Sequence, residues 1–85
     1  MKQLAYKNIN SKGWEKLKRA MKDFGVEIEG DQGDISAKGI KGSFKRDADS
    51  ETLEIIINKT PMLLPSGILA GQITGLVERL GGKVA

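Results

Sequence analysis

Apolar residues recur along the chain with two periods, and each change of period marks an element. Between Lys2 and Ile9 the spacing is two, with Leu4, Tyr6 and Asn8 falling on one side. That predicts a strand, and its shortness and lysines suit a sheet edge. From Lys12 to Phe24 the period becomes helical. Trp14, Leu17, Ala20, Met21 and Phe24 share one face, and Glu15, Lys16, Lys18, Arg19, Lys22 and Asp23 the other. Asn10-Ser11 offers an N-cap and Gly25 a left-handed stop.

Alternation returns at Val26-Glu27-Ile28-Glu29, which reads as a short additional strand before the turn residues Gly30 to Gly33. Asp34 to Lys38 extends again, with Ile35 and Ala37 on one side, and Gly39 to Lys45 follows with glycines that predict a bend or bulge. Arg46 to Ser50 reads as a polar turn. Glu51 to Lys59 is the strongest strand pattern, with Leu53, Ile55 and Ile57 on one face and Ile56 on the other. The prolines of Thr60 to Pro65 exclude a regular element and leave an apolar connector. Ser66 is placed to cap a second helix running to about Leu80, Gly81-Gly82 to end it, and Lys83 to Ala85 to form a frayed tail. The fold class is therefore α+β: one domain over residues 1–85, a small antiparallel sheet, and two helices packed on one of its faces in the order β-α-β-β-β-α.

The second helix has two unlike faces. Leu69, Leu76, Leu80, Ile73 and Val77 form its expected core stripe. Gly67, Gly71 and Gly75 recur at every fourth position almost opposite, with Ile68 beside them. Each interior glycine costs about 1 kcal/mol against alanine. Three accounts of the strip are open. It is a smooth groove for a second helix, a partner protein or an acyl chain; it packs inside the monomer under the first helix or the connector; or it is drift in a helix held by other contacts.

The 85 residues include no cysteine and no histidine, which removes disulfides, thiolate chemistry and the commonest general base and metal ligand. Asp31, Asp34, Asp47 and Asp49 lack the spacing of a calcium loop, and Ser36, Ser43 and Ser66 have no histidine to activate them and nothing that marks a lysine for the task, so neither a metal, a cofactor nor an enzyme is expected. The start of the chain lacks a signal-peptide core, and no apolar run approaches the roughly 20 residues of a membrane span, so the expected compartment is the cytoplasm. Net charge is +3. The basic face of the first helix (Lys12, Lys16, Lys18, Arg19, Lys22), with Lys41 and Lys45, is the alternative site, for nucleic-acid phosphates or an anionic lipid surface. Lys38 and Arg46 extend that strand cluster. The small net charge and the lack of a free aromatic platform argue against nucleic acid.

Gly33-Asp34-Ile35, Gly39-Ile40-Lys41-Gly42-Ser43-Phe44, the strand Leu53 to Ile57 and the connector Lys59 to Pro65 leading into an amphipathic helix carry a resemblance over residues 33–80. The stretch is similar to the small bacterial polyhydroxyalkanoic acid system proteins. The chain departs from that pattern in lacking histidine, in lacking a tryptophan shortly before Gly33-Asp34, and in the glycines of its last helix. The resemblance implies an association with storage-granule genes, not a known activity, and supplies no catalytic residue.

The expected function is a small non-enzymatic binding or accessory module. Its apolar surface comprises Met62, Leu63 and Leu64 of the connector with Gly67, Ile68, Gly71 and Gly75. The expected partner is a second copy, another protein, or a granule or lipid surface. A carrier holding a small ligand between helices and sheet is a third reading.

Overall fold

The computed structural model describes residues 2–23 and 25–85. Strands β1 (Lys2–Lys7), β2 (Gln32–Ala37), β3 (Ile40–Asp47), β4 (Thr52–Lys59) and β5 (Lys83–Val84) form one antiparallel sheet in the order β2-β3-β4-β1-β5. Helices α1 (Ser11–Asp23) and α2 (Ser66–Arg79) both cover the face that carries Tyr6, Ile35, Phe44, Leu53, Ile55 and Ile57. The expected class and order hold, with β5 added.

Local chemistry sets the helix ends. Asn10 Oδ1 accepts the Gly13 amide at 2.8 Å, the N-cap bond expected there. At the other end Gly25 takes φ +87°. Its amide donates to Lys22 and that of Val26 to Met21, the paired bonds of a Schellman stop. Gly81, at φ +91°, ends α2 in the same way, with Gly81 donating to Glu78 and Gly82 to Val77. Ser66 does not cap α2. Pro65 holds the N-cap position with no side-chain bond, which leaves Ser66 inside the first turn.

Three other expectations are corrected. β1 is not an edge: Lys83 and Val84 pair with Lys7 and Tyr6, and the Ala85 amide donates to the Ala5 carbonyl, so the expected tail is the edge strand. Residues 26–29 form no strand. Val26 is buried and Ile28 half-buried, but the segment lies beyond the sheet, tied to the end of α1 through the Val26 amide. The turn expected at Arg46 begins later, because β3 continues to Asp47 and turns Arg46 into the core, 8% exposed. The predicted bulge falls at Lys41/Gly42, and a side chain at Gly42 would collide with the carbonyl of Ile56.

Trp14, 2% exposed, stands at the centre of the α1 contact. Its ring packs on Phe44 at 5.9 Å between centroids, and its Nε1 donates to Asp31 Oδ1 at 3.1 Å. Leu17 and Met21 continue the buried stripe; Phe24, expected on the same face, lies outside the described residues. On α2 the buried positions are Ala70, Ile73 and Val77, while Leu69, Leu76 and Leu80 are half-buried. The helix is thus rolled from the expected stripe toward Thr74, whose hydroxyl shares a 2.8 Å hydrogen bond with the Tyr6 hydroxyl.

Trp14→Ala is expected to cost about 3–5 kcal/mol, most of the roughly 5–10 kcal/mol available to a domain of this size. Denaturant titration measures the loss, and the emission of the single tryptophan should be blue-shifted in the wild type. Burial raises the pKa of Tyr6 above its ordinary value near 10, with the charge of Glu78 adding and the Thr74 hydrogen bond opposing. The neutral phenol therefore contributes stability that is complete below pH 10 and is lost as pH rises through the folded pKa. Tyrosinate absorbance should appear later in the folded than in the urea-unfolded chain, and Tyr6→Phe should flatten the fall of thermal midpoint above pH 10.

Candidate functional site

The connector is a turn held between two prolines. The Leu64 amide donates to the Pro61 carbonyl at 3.0 Å, which puts Met62 and Leu63 at the two central positions of the turn. Pro61 is braced from behind by the β2–β3 hairpin, where a side-chain carbon at Gly39 would stand 3.3 Å from Pro61 Cβ. Pro65 restrains Leu64 to an extended backbone and opens α2. Met62 and Leu63 consequently project into solvent, 98% and 97% exposed, and Ile68 follows one turn later at 55%. Scattered exposed apolar residues are ordinary on a small protein, whereas two adjacent large side chains on a proline-framed turn are a presented feature. Leu64, expected on the same surface, is turned inward and packs against the core.

A carbon added at Gly67, Gly71 or Gly75 meets nothing within 4 Å. This overturns packing of the strip under the first helix or the connector. The three glycines lie on the outer face of α2, where Gly71 and Gly75 leave a shallow hollow bordered by Gln72, Leu76 and Arg79.

The antiparallel register brings lysines to the connector end of the sheet, on both of its faces. Lys41 of β3 is opposite Lys59 of β4, Lys2 is opposite Ile57, and Lys38 occupies the hairpin turn against Pro61; all four are exposed. The chain carries no carboxylate between Asp34 and Asp47 or between Glu54 and Glu78. Glu27 lies on the flank, beside Ser36 and Ala37. Lys2 and Lys59 were not singled out in the sequence; only strand register, which periodicity does not report, would have found them.

The alternative basic site is divided. Lys12, Lys16 and Arg19 line one strip of α1. Lys18 is drawn aside: it pairs with Glu15 at 3.0 Å and lies over the Trp14 ring at 5.5 Å. Lys22 shares a hollow with Lys18 and Arg19, and Glu15, Glu27 and Glu29 line the same hollow. Lys41 and Lys45 alternate with the buried positions of β3 and so face away from the helices, Lys45 opposite Glu54. Arg46 is withdrawn altogether, its Nη2 donating to the Ile9 carbonyl at 3.1 Å and its guanidinium 6.0 Å from the centre of the Trp14 ring. Tyr6, Trp14 and Phe44 are all buried, so no aromatic platform is exposed among the described residues.

Because the glycine face meets nothing in the monomer, Gly71→Ala and Gly71→Leu should each stabilise the helix by about 1 kcal/mol. Thermal midpoints should then rise by roughly 4–8 °C, with the sedimenting mass unchanged. A fall in midpoint, or a change in mass, would show that another molecule covers the strip.

No protein-family model matches the chain, and no curated protein or solved structure was found to be similar to it.

Proposed function

We propose that this is a small non-enzymatic accessory module that docks on an anionic lipid or granule surface through its connector end. The near-complete exposure of Met62 and Leu63 on a turn held by two prolines carries the reading. Lys2, Lys38, Lys41 and Lys59 give that end the charge an anionic surface attracts. Ile68 and the first glycine of α2 continue the apolar patch. Burying two such side chains contributes about 3–6 kcal/mol, and each lysine near an anionic leaflet about 1 kcal/mol. That is the range of reversible peripheral attachment. No helix among the described residues is long and apolar enough to cross a membrane. The resemblance of residues 33–80 to polyhydroxyalkanoic acid system proteins points in the same direction. Nucleic acid is the weaker reading, because the cations of α1 and β3 lie on opposite sides of the sheet.

Flotation with vesicles tests the proposal. The protein should float with phosphatidylglycerol-containing vesicles and much less with phosphatidylcholine alone. Met62→Ser/Leu63→Ser should lower partitioning by at least about 100-fold without moving the thermal midpoint. Equal flotation of the double variant and wild type would overturn it.

A further inference from the structure

Behind the connector lies a cavity that shares only Lys38 with the docking surface. α1 and α2 are close at one end, where a carbon added at Gly13 would stand 3.7 Å from the Leu80 carbonyl. Toward the other end a cavity of about 250 Å³ separates Met21 from Leu69 and Ile73. Val26, Ile40 and Leu64 complete its apolar wall, and Pro61 borders it. Met21, Val26, Ile40 and Ile73 belong to the core, so the wall is built on buried residues. Among the described residues its polar side chains are Lys38 and Gln72, and no carboxylate lines it.

We infer that this cavity is a binding site for a short free fatty carboxylate, its chain between the helices and its head group at Lys38. Volume sets the chain length. The cavity exceeds the roughly 150 Å³ that holds benzene in an engineered core and is below the roughly 300–1,000 Å³ of drug-sized sites. At about 30 Å³ per water-sized group it takes roughly eight such groups. Chemistry sets the class. Ordered water needs two to four polar partners, which a carbon wall does not supply, so an aliphatic chain fills the space better than water does. Charge sets the head group, because the one ionisable side chain among the described residues of the lining is a cation. Lys38 is held with φ +52° in the two-residue hairpin turn, and its side chain lies over Gly25 at the end of α1, where an added carbon would be 2.8 Å from Nζ. Lys38 and Gln72 are thus the donors that the lining offers a carboxylate head group.

The inference does not rest on the surface reading, and sodium octanoate below its micellar concentration tests it separately. Methyl NMR should show saturable shifts at Met21, Ile40 and Ile73 at millimolar octanoate or below. Lys38→Gln should weaken octanoate about tenfold, the lower end of what a charge-assisted hydrogen bond contributes, and leave octanol unaffected. Leu69→Phe should fill the cavity and remove both ligands, with Leu64→Phe repeating the test from the opposite wall if the first variant fails to fold. Met62→Ser/Leu63→Ser should bind octanoate like wild type. Absence of saturable shifts, equal binding of octylammonium, or shifts confined to Met62 and Leu63 would overturn the assignment. Octanoate binding that survives loss of vesicle binding, or the reverse, separates the two readings.

Discussion

The indole of Trp14 joins parts of the chain that have no other reason to meet. Its ring lies on Phe44 of the sheet, its Nε1 holds Asp31 at the entrance to β2, and the guanidinium of Arg46 lies near its ring. The backbone follows: the Arg46 amide donates to the Asp31 carbonyl, and the Arg46 side chain reaches the Ile9 carbonyl just before α1. A buried cation without a carboxylate partner is costly unless hydrogen bonds or aromatic faces replace its water. The same ring that anchors α1 thus makes the burial of Arg46 tolerable.

The opposite end of the molecule follows another rule. There the core is shielded by proline geometry instead of by a large ring. Pro61 and Pro65 fix the connector so that Leu64 faces inward while Met62 and Leu63 face out. The wall of the cavity and the exposed tip are therefore consecutive residues of a single turn. Neither feature exists without the hairpin at Lys38-Gly39 that supports Pro61.

Both helices and four of the five strands were legible because their signals are local. Asn10, Gly25 and Gly81 act within a few residues of the ends they define. The errors arose where a distant partner decides. β5 has two residues, too few to show a period, and only β1 makes it a strand. Val26 and Ile28 alternate because alternate side chains are covered, and coverage requires no neighbouring strand. The roll of α2 depends on Thr74 finding Tyr6, a contact between the two ends of the chain. In the candidate site, Met62, Leu63 and Ile68 were visible as apolar residues near prolines. Lys38 and Lys41 were visible as part of a strand cluster, but that Lys59 and Lys2 lie at the same end of the sheet follows only from the register.

The strand order also dictates a folding sequence. β2, β3 and β4 form a meander of nearest neighbours whose loops close at little entropic cost. β1 must instead find β4 across α1 and the whole meander, and β5 can add only to a β1 already in place. High-contact-order pairings of this kind are formed late and slowly. Until β1 docks, the free edge of β4, with Ile55, Ile56 and Ile57, is open to strands of other molecules. The interval between meander formation and closure by β1 is therefore when this chain is most exposed to misassembly.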